Sequence, residues 1–319
     1  KPEEVVDESR NSAAGYVDLS VDITENLLVG AAARFENFSD FGTNFSWKAN
    51  ARYKIGKNGA IRGSYSTGFR APSLHQRYLI NSQYIIVQGS PDPQLQGTLA
   101  NDNPAVKALG VPDLFAETAQ NLTAGVTMRL GDHLSASVDY YSINVNDRVL
   151  FSSQIQAKEE GDAIDQILSA NGVKAVQFFI NAGDTKTSGV DVVLNLSNVL
   201  AGKGRFGAVL SANFNKSEID KINTPAALEA GGYDIFDRRE QSLITLSRPN
   251  SKVLLGLSYK TEKLSIHLDN TRFGEVTVTH ASDPANDQVH TAKVITDLGL
   301  NYHIAKNLSI TANINKIFD

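Results

Sequence analysis

Two groups of side chains in this 319-residue sequence have the types and spacing for chemistry, and both suit holding a ligand rather than transforming one. The first is His75, Arg77, Tyr78 and Tyr84, in a stretch without regular patterning. An imidazole, a guanidinium fork and two phenols together stack on flat rings and hydrogen-bond aromatic or anionic ligands. The second is Lys48, Arg52, Lys54, Arg62 and Arg129, each on the polar side of an apolar/polar alternation. In strands that alternation gathers them on one face, where they meet a polar partner or draw anions into a water-filled interior. Arg70 belongs to neither group. It stands in Gly68-Phe69-Arg70-Ala71-Pro72, where proline locks φ and arginine ties neighbouring carbonyls, so the run reads as the fixed exit of a loop.

Catalytic patterns are missing from the sequence. There is no Gly-x-Ser-x-Gly elbow, no His-Glu-x-x-His helix and no phosphate-binding Gly-Lys-Ser/Thr loop. The six histidines fall at 75, 133, 267, 280, 290 and 303, without metal-ligand spacing on one face. Asp283 and Asp287 lie in a segment that lacks the central glycine and terminal glutamate of a calcium hand. Zero cysteines remove disulfides, thiolate zinc sites and cysteine nucleophiles together. No enzyme, metal or cofactor is therefore expected. A net charge of −5 gives no positive field for a phosphate backbone, so no nucleic acid is expected either.

The elements that must position these residues are strands. Period-two alternation starts at Tyr16, with Val17, Leu19, Val21 and Ile23 against Asp18, Ser20 and Asp22, and recurs almost to the end of the chain. Its cleanest instance sets Phe45, Trp47, Ala49, Ala51, Tyr53 and Ile55 against Ser46, Lys48, Asn50, Arg52 and Lys54. Strands are expected near 16–23, 29–36, 45–55, 60–67, 120–130, 134–147, 178–196, 205–217, 252–260, 263–274, 291–304 and 308–317. Near Tyr140-Tyr141-Ser142-Ile143 the apolar set changes face, and a bulge would explain it. Short helices are expected at Glu159 to Ala170 and after Thr224-Pro225, with Ala226 to Ala230 ended by Gly231-Gly232.

The connections alternate in length. Those at 25–26, 56–59, 131–133, 197–204, 261–262 and 305–307 are short, while 70–116, 148–177, 218–251 and 275–290 are long; only 39–43 breaks the contrast. No apolar run reaches the length of a transmembrane helix, but a transmembrane strand needs only about 9–11 alternating residues. Alternation alone equally allows a soluble β-sandwich binding module. Short turns at one end, long loops at the other and aromatics near strand ends favour an outer-membrane barrel instead.

Beyond patterning, Gly63-Ser64-Tyr65-Ser66-Thr67-Gly68-Phe69-Arg70-Ala71-Pro72-Ser73-Leu74 resembles the strand-to-loop segment of TonB-dependent outer-membrane receptors. Arg34 to Gly42 followed by Trp47-Lys48 is similar to that family's preceding hairpin. Glu117 to Gly125 resembles its loop-to-strand return, Asn181-Ala182-Gly183 with Ser188-Gly189-Val190-Asp191 a later descending strand, and Asn313 to Asp319 its penultimate strand. The resemblance implies an all-β, antiparallel transmembrane barrel, about twelve strands out of the 22 of a plugged barrel. Residues 1–14 would be a lead-in and 15–319 part of the barrel, with extracellular loops at 70–116, 148–177, 218–251 and 275–290.

The resemblance further implies a Gram-negative outer membrane and energised uptake of a scarce, bulky solute, foremost a ferric siderophore or other iron complex. Partners would be outer-membrane lipid, the protein's own plug domain, a small-molecule or metal-complex ligand, and a TonB-type energy-coupling protein reached through an N-terminal part. The chain has no apolar h-region at Lys1-Pro2-Glu3-Glu4-Val5 and stops in mid-alternation, so it reads as an excised piece without plug or closing strand. His75, Arg77, Tyr78 and Tyr84 become candidates for ligand contact, and Lys48, Arg52, Lys54, Arg62 and Arg129 for the lumen wall against the plug. Some family members pair Phe-Arg-Ala-Pro with a histidine and a downstream Asn-Pro-Asn-Leu box; Asn103-Pro104-Ala105-Val106 departs from it, which counts against haem. A passive barrel or surface adhesin without energy coupling is the alternative.

Overall fold

The computed structural model describes residues 7–86 and 93–318. Residues 1–6 of the expected lead-in, 87–92 of the first long loop and Asp319 lie outside the described residues. The chain starts as an antiparallel meander of β1 (Ser12–Asp22), β2 (Leu27–Phe38), β3 (Gly42–Ile55) and β4 (Gly59–Arg70). The first long loop carries α1 (Leu74–Tyr78), β5 (Asn81–Ile85), β6 (Gln94–Thr98) and α2 (Pro104–Ala108). After β7 (Glu117–Leu130) and β8 (Leu134–Phe151) the second loop forms β9 (Ile155–Gln156), α3 (Ala163–Ala170) and β10 (Val173–Gln177). β11 (Phe179–Ala201) and β12 (Gly204–Ile222) lead to α4 (Ala226–Ala230) and α5 (Arg238–Thr245). Then come β13 (Ser251–Lys260), β14 (Leu264–Phe273) and a loop with β15 (Val276–Val278) and β16 (Gln288–His290). β17 (Lys293–Ala305) and β18 (Leu308–Ile314) end the pattern.

Twelve of these strands form one antiparallel sheet in the order β1-β2-β3-β4-β7-β8-β11-β12-β13-β14-β17-β18. Its long loops all lie along one edge and its short turns along the other, except the short β2–β3 turn, which shares the loop edge, because each strand reverses the last. The register shows why the sheet has two unlike faces. Phe35 pairs with Phe45, Ala33 with Trp47, Ala49 with Tyr65 and Val126 with Val138, all on one side. Phe45, Trp47, Tyr53, Leu122, Met128 and Leu130 on that side are exposed. Among the described residues no second sheet covers them, so the sheet is not half of a sandwich. An uncovered apolar face of this extent is stable against lipid, and on β12 it runs from Phe206 to Phe214, one crossing of about 9–11 residues.

Away from the loop ends of β7, β8 and β11, little in the large sheet is buried. The largest fully buried side chains, among them Phe178, Phe236, Leu109, Ile155, Ile164, Leu168 and Leu228, come from the first three long loops. Those three loops share one core, and the first two also share a four-stranded sheet, β5-β6-β10-β9, in which β10 runs parallel to β6. Parallel pairing needs no hairpin, so it joins strands from two different loops.

Three expectations require correction. The change of face at Tyr140-Tyr141-Ser142-Ile143 is not a bulge, since β7 and β8 pair without a shift from Thr118/Asn146 to Leu130/Leu134. Tyr140, Val190 and Phe214 form the last apolar row outside; the next row is Ser142, Ser188 and Lys216. The strands there leave the lipid band, so the outer face turns polar and Ile143 packs inward. The real irregularity of β8 is at Asp147, with φ of 54°, where its pairing with β11 shifts. The turn expected at 197–204 is narrower: β11 continues to Ala201 through a bulge with Asn198 at φ 58°, and Gly202, at φ 59°, makes the reversal. The helix expected from Glu159 begins at Ala163, because the Asp162 carboxylate accepts the Asp165 amide and caps it there.

Candidate functional site

At the loop edge, β4 and β7 end side by side with Arg70 opposite Glu117. The Arg70 guanidinium forks onto both oxygens of Glu117, with Nε to Oε2 at 2.8 Å. Glu117 is buried, and its Oε1 also accepts the Val149 amide of β8 at 2.6 Å. One carboxylate thus ties three strand ends together where the first loop leaves the sheet. Pro72 is fully buried just beyond. Arg70 thus meets a carboxylate rather than the neighbouring carbonyls expected of it.

The loop then enters α1 through a capping box, Ser73 with Gln76. Arg77 donates from Nη1 to Asp40 Oδ2 at 2.7 Å and to the Asp40 carbonyl at 3.1 Å. Asp40 lies in the β2–β3 turn and also receives Arg10, Nη2 to Oδ2 at 2.7 Å, while Arg10 Nη2 reaches the Pro72 carbonyl at 2.7 Å. The Arg10 guanidinium stacks 4.9 Å from the centre of Phe41, which itself stacks on Phe38. Burial alone would push the Asp40 carboxyl up, but hydrogen bonds from Arg10 and Arg77 together hold it below its ordinary value. A carboxylate lowered by folding stabilises above its unfolded pKa, about 3.9, and stops doing so as pH falls through the lower folded value. The clamp on α1 is accordingly expected to stay closed at neutral pH and to loosen below about pH 4. Limited proteolysis across 73–86 as a function of pH would register this, and Asp40→Asn should remove the acid-dependent step.

Arg77 and Tyr78 line one cleft of about 260 Å³ with Asn101, Asp102, Asp113 and Leu114. His75 is exposed on α1 outside that lining, and Tyr84, also exposed, lies on β5 in the loop module. The loop cluster is thus split: two of its members share a cleft, one of them already held by Asp40, and two stand apart. The lumen set stays together. Lys48, Arg52, Lys54, Arg62 and Arg129 all occupy the polar face of the large sheet. Arg62 reaches across β7 to Asp139 on β8, Nε to Oδ1 at 2.8 Å and Nη2 to Oδ2 at 2.6 Å. It passes over Gly125, where an added Cβ would stand 1.9 Å from Asp139 Oδ1, so only glycine leaves the bridge its room. Lys54 donates to the Glu25 carbonyl, and Lys48, Arg52 and Arg129 make no ion pair among the described residues.

Sequence reasoning did not single out Arg10, Asp40 or Glu117. Their partners are 30 and 47 residues away, so only the register reveals them. The capping box Ser73-x-x-Gln76 was a local signal, and so was Asp237 ahead of α5, whose side chain accepts from Arg239 and Glu240.

Comparison with known proteins points one way. The family model described as TonB dependent receptor-like, beta-barrel matches residues 3–316. Over 162 residues, half of this chain and 20% of the relative, the sequence is 23% identical to the ferric enterobactin receptor PirA of Pseudomonas aeruginosa. The crystal structure of the siderophore receptor PirA from Pseudomonas aeruginosa superposes with a TM-score of 0.62 and 17% identity, over 97% of this chain and 45% of that one. The ferric enterobactin receptor PfeA from Pseudomonas aeruginosa gives 0.67 and 17%, over 97% and 40%. The chain thus spans less than half the length of these relatives, and at such identity the likeness is one of fold.

Proposed function

The chain belongs to the TonB-dependent receptor β-barrel family of outer-membrane proteins, and from that premise we propose that the whole protein imports a ferric siderophore or similar iron complex with TonB-coupled energy. The observation that carries the proposal is the family match along residues 3–316, with relatives named as siderophore and ferric enterobactin receptors. The geometry supports it: a polar, cation-bearing face below and interlocked loops above suit capture outside and passage through a lumen. On this reading the plug packs against Lys48, Arg52, Lys54, Arg62 and Arg129. His75, Tyr78 and Tyr84 face the solute side, and Arg77 holds α1 in place while lining the cleft beside it. The TonB-type partner engages a segment beyond this chain.

Growth and radio-iron uptake decide the matter. A strain lacking the full gene should fail to grow on the chelated iron its parent uses, and complementation should restore it. Uptake should also stop when the proton gradient is collapsed. Uptake that persists without the gradient would make the protein a passive barrel, and uptake unaffected by deletion would remove iron transport altogether.

A further inference from the structure

The outward, apolar side of the large sheet changes character toward the loop edge. Beyond the row of Tyr140, Val190 and Phe214 come Ser142, Ser188 and Lys216. Beyond those come Gln120, Asn144, Lys186 and Glu218, cross-strand neighbours on β7, β8, β11 and β12. Over the regularly paired parts of the described strands, the charged side chains on this side are Lys186, Lys216, Glu218 and Arg272, all toward the loop edge. At the turn end of the same strands the outward residues are Leu130, Leu134, Leu196, Phe206 and Ile266. The charge is therefore confined to one rim.

These three cations have one carboxylate between them. Lys216 is paired with Glu218, and Lys186 faces that same residue across the β11–β12 ladder. Arg272, exposed, stands between Val253 and Val294 in its row and makes no ion pair among the described residues. On β14 the outward side turns polar one row nearer the turns, where Thr296 donates to Asn270 Oδ1 at 2.8 Å. Barrel strands are tilted by about 35–45°, so a row crosses the lipid band obliquely and the band ends at different rows on β12 and β14. Lys186, Lys216 and Arg272 thus form a collar just outside its loop-side edge. A cation is costly in hydrocarbon and is stabilised at headgroup depth by phosphate, which a guanidinium grips with its fork and an ammonium as a point charge. The hydroxyls of Ser142 and Ser188 and the amides of Gln120 and Asn144 suit sugar hydroxyls. Tyr140 and Phe214, both exposed, border the acyl region below. A phospholipid present in both leaflets would be met at both rims, whereas a lipid confined to the outer leaflet is met only at the loop rim.

We infer that this collar is a docking site for a phosphorylated glycolipid of the outer leaflet, with phosphates on Lys186, Lys216 and Arg272 and sugars on the neighbouring hydroxyl and amide side chains. The inference rests on the outer-membrane family and not on the transported solute, so it stands or falls apart from the transport reading. It is tested on the full-length receptor, delipidated in detergent, by native mass spectrometry during titration with bis-phosphorylated lipid A, dephosphorylated lipid A and phosphatidylglycerol. Wild type should hold phosphorylated lipid A about tenfold more tightly than either of the others. Lys186→Gln/Lys216→Gln/Arg272→Gln should abolish that preference, and Arg272→Gln alone, at an exposed position, should weaken phosphorylated lipid A several-fold with the fold intact. Glu218→Gln frees Lys216 from its competing carboxylate and should tighten binding a few-fold. Equal retention of the phosphorylated and dephosphorylated forms overturns the inference, and so does phosphatidylglycerol held as tightly as lipid A. A triple variant that binds lipid A as wild type does also overturns it. Weaker binding by Glu218→Gln does the same, because the lipid would then hang on the carboxylate rather than on the cations.

Discussion

Phe178→Ala should release three loops at once while leaving the strands beneath them paired. Phe178 is completely buried, in a core to which the first loop gives Leu99, Val106 and Leu109, the second Ile155, Ile164 and Leu168, and the third Leu228, Ile235 and Phe236. Backbone bonds stitch the same loops, the Leu99 amide to the Gln177 carbonyl at 3.0 Å and the Ser153 amide to the Ile235 carbonyl at 2.9 Å, and within the second loop the Phe178 amide donates to Ser152 Oγ at 3.0 Å. Removing a buried phenylalanine costs about 3–5 kcal/mol, the transfer term plus the cavity left behind. A loop module with one core opens as one cooperative unit. Hydrogen exchange of the variant should therefore quicken together at 95–98, 155–156, 173–177 and 235–236, with protection kept along β7 and β8. Faster exchange in the second loop alone would mean that the loops are independent.

Such a module changes how capture is pictured. Loops hinged separately can close on a solute one by one, whereas β6 and β10, paired in parallel across two loops, cannot part without exposing the shared core. The loop of β15 and β16 is attached differently. It is pinned to α5 by Arg238 on Asp287 at 2.8 Å and by the Thr277 amide on the Leu246 carbonyl at 3.0 Å, polar contacts at a half-exposed surface. None of its residues belongs to the shared core, and it packs on α5 through β15.

The strands of the large sheet were legible because each carries its own evidence. In Phe45 to Ile55 the period of two is complete within a single strand, and the turn after it contains Lys57-Asn58-Gly59. The loop module was not legible for the opposite reason. Val173-Lys174-Ala175-Val176-Gln177 is too short to display a period, with Val173, Ala175 and Val176 buried and Lys174 and Gln177 half-buried, and its partner Leu95–Thr98 is remote in sequence. The inverted pattern at Tyr140-Tyr141 was visible but open to two explanations, and only the paired rows of β8, β11 and β12 show that the environment changes rather than the backbone. The candidate site divides in the same way. The cations of the polar face follow from alternation, whereas the Arg10–Asp40–Arg77 clamp joins segments that no local pattern relates.

Glu117 shows what such a non-local contact is worth. It is 5% exposed, and its carboxylate accepts the Arg70 fork and the Val149 amide. Glu117→Ala leaves a cation and an amide without acceptors where three strands end. Breaking a fully buried pair costs about 3–5 kcal/mol, and about 2–3 is expected at this site, because the Arg70 side chain still reaches solvent. Glu117→Gln keeps an oxygen for the Val149 amide and loses the charge, so a smaller loss, about 1–2 kcal/mol, should result. The double change Arg70→Met/Glu117→Met should recover much of the difference, since apolar residues of similar volume replace a buried ion pair at little cost. Exchange protection at 68–72 and 117–119 reads these losses directly, and the far ends of β4 and β7 serve as the internal control. Should Glu117→Ala leave that protection unchanged, the loop would be held by Pro72 and the Asp40 clamp alone. On the proposed transport function, uptake by the full-length protein should follow the same order, double Met above Gln above Ala, because the position of α1 and its cleft depends on where the first loop leaves the sheet.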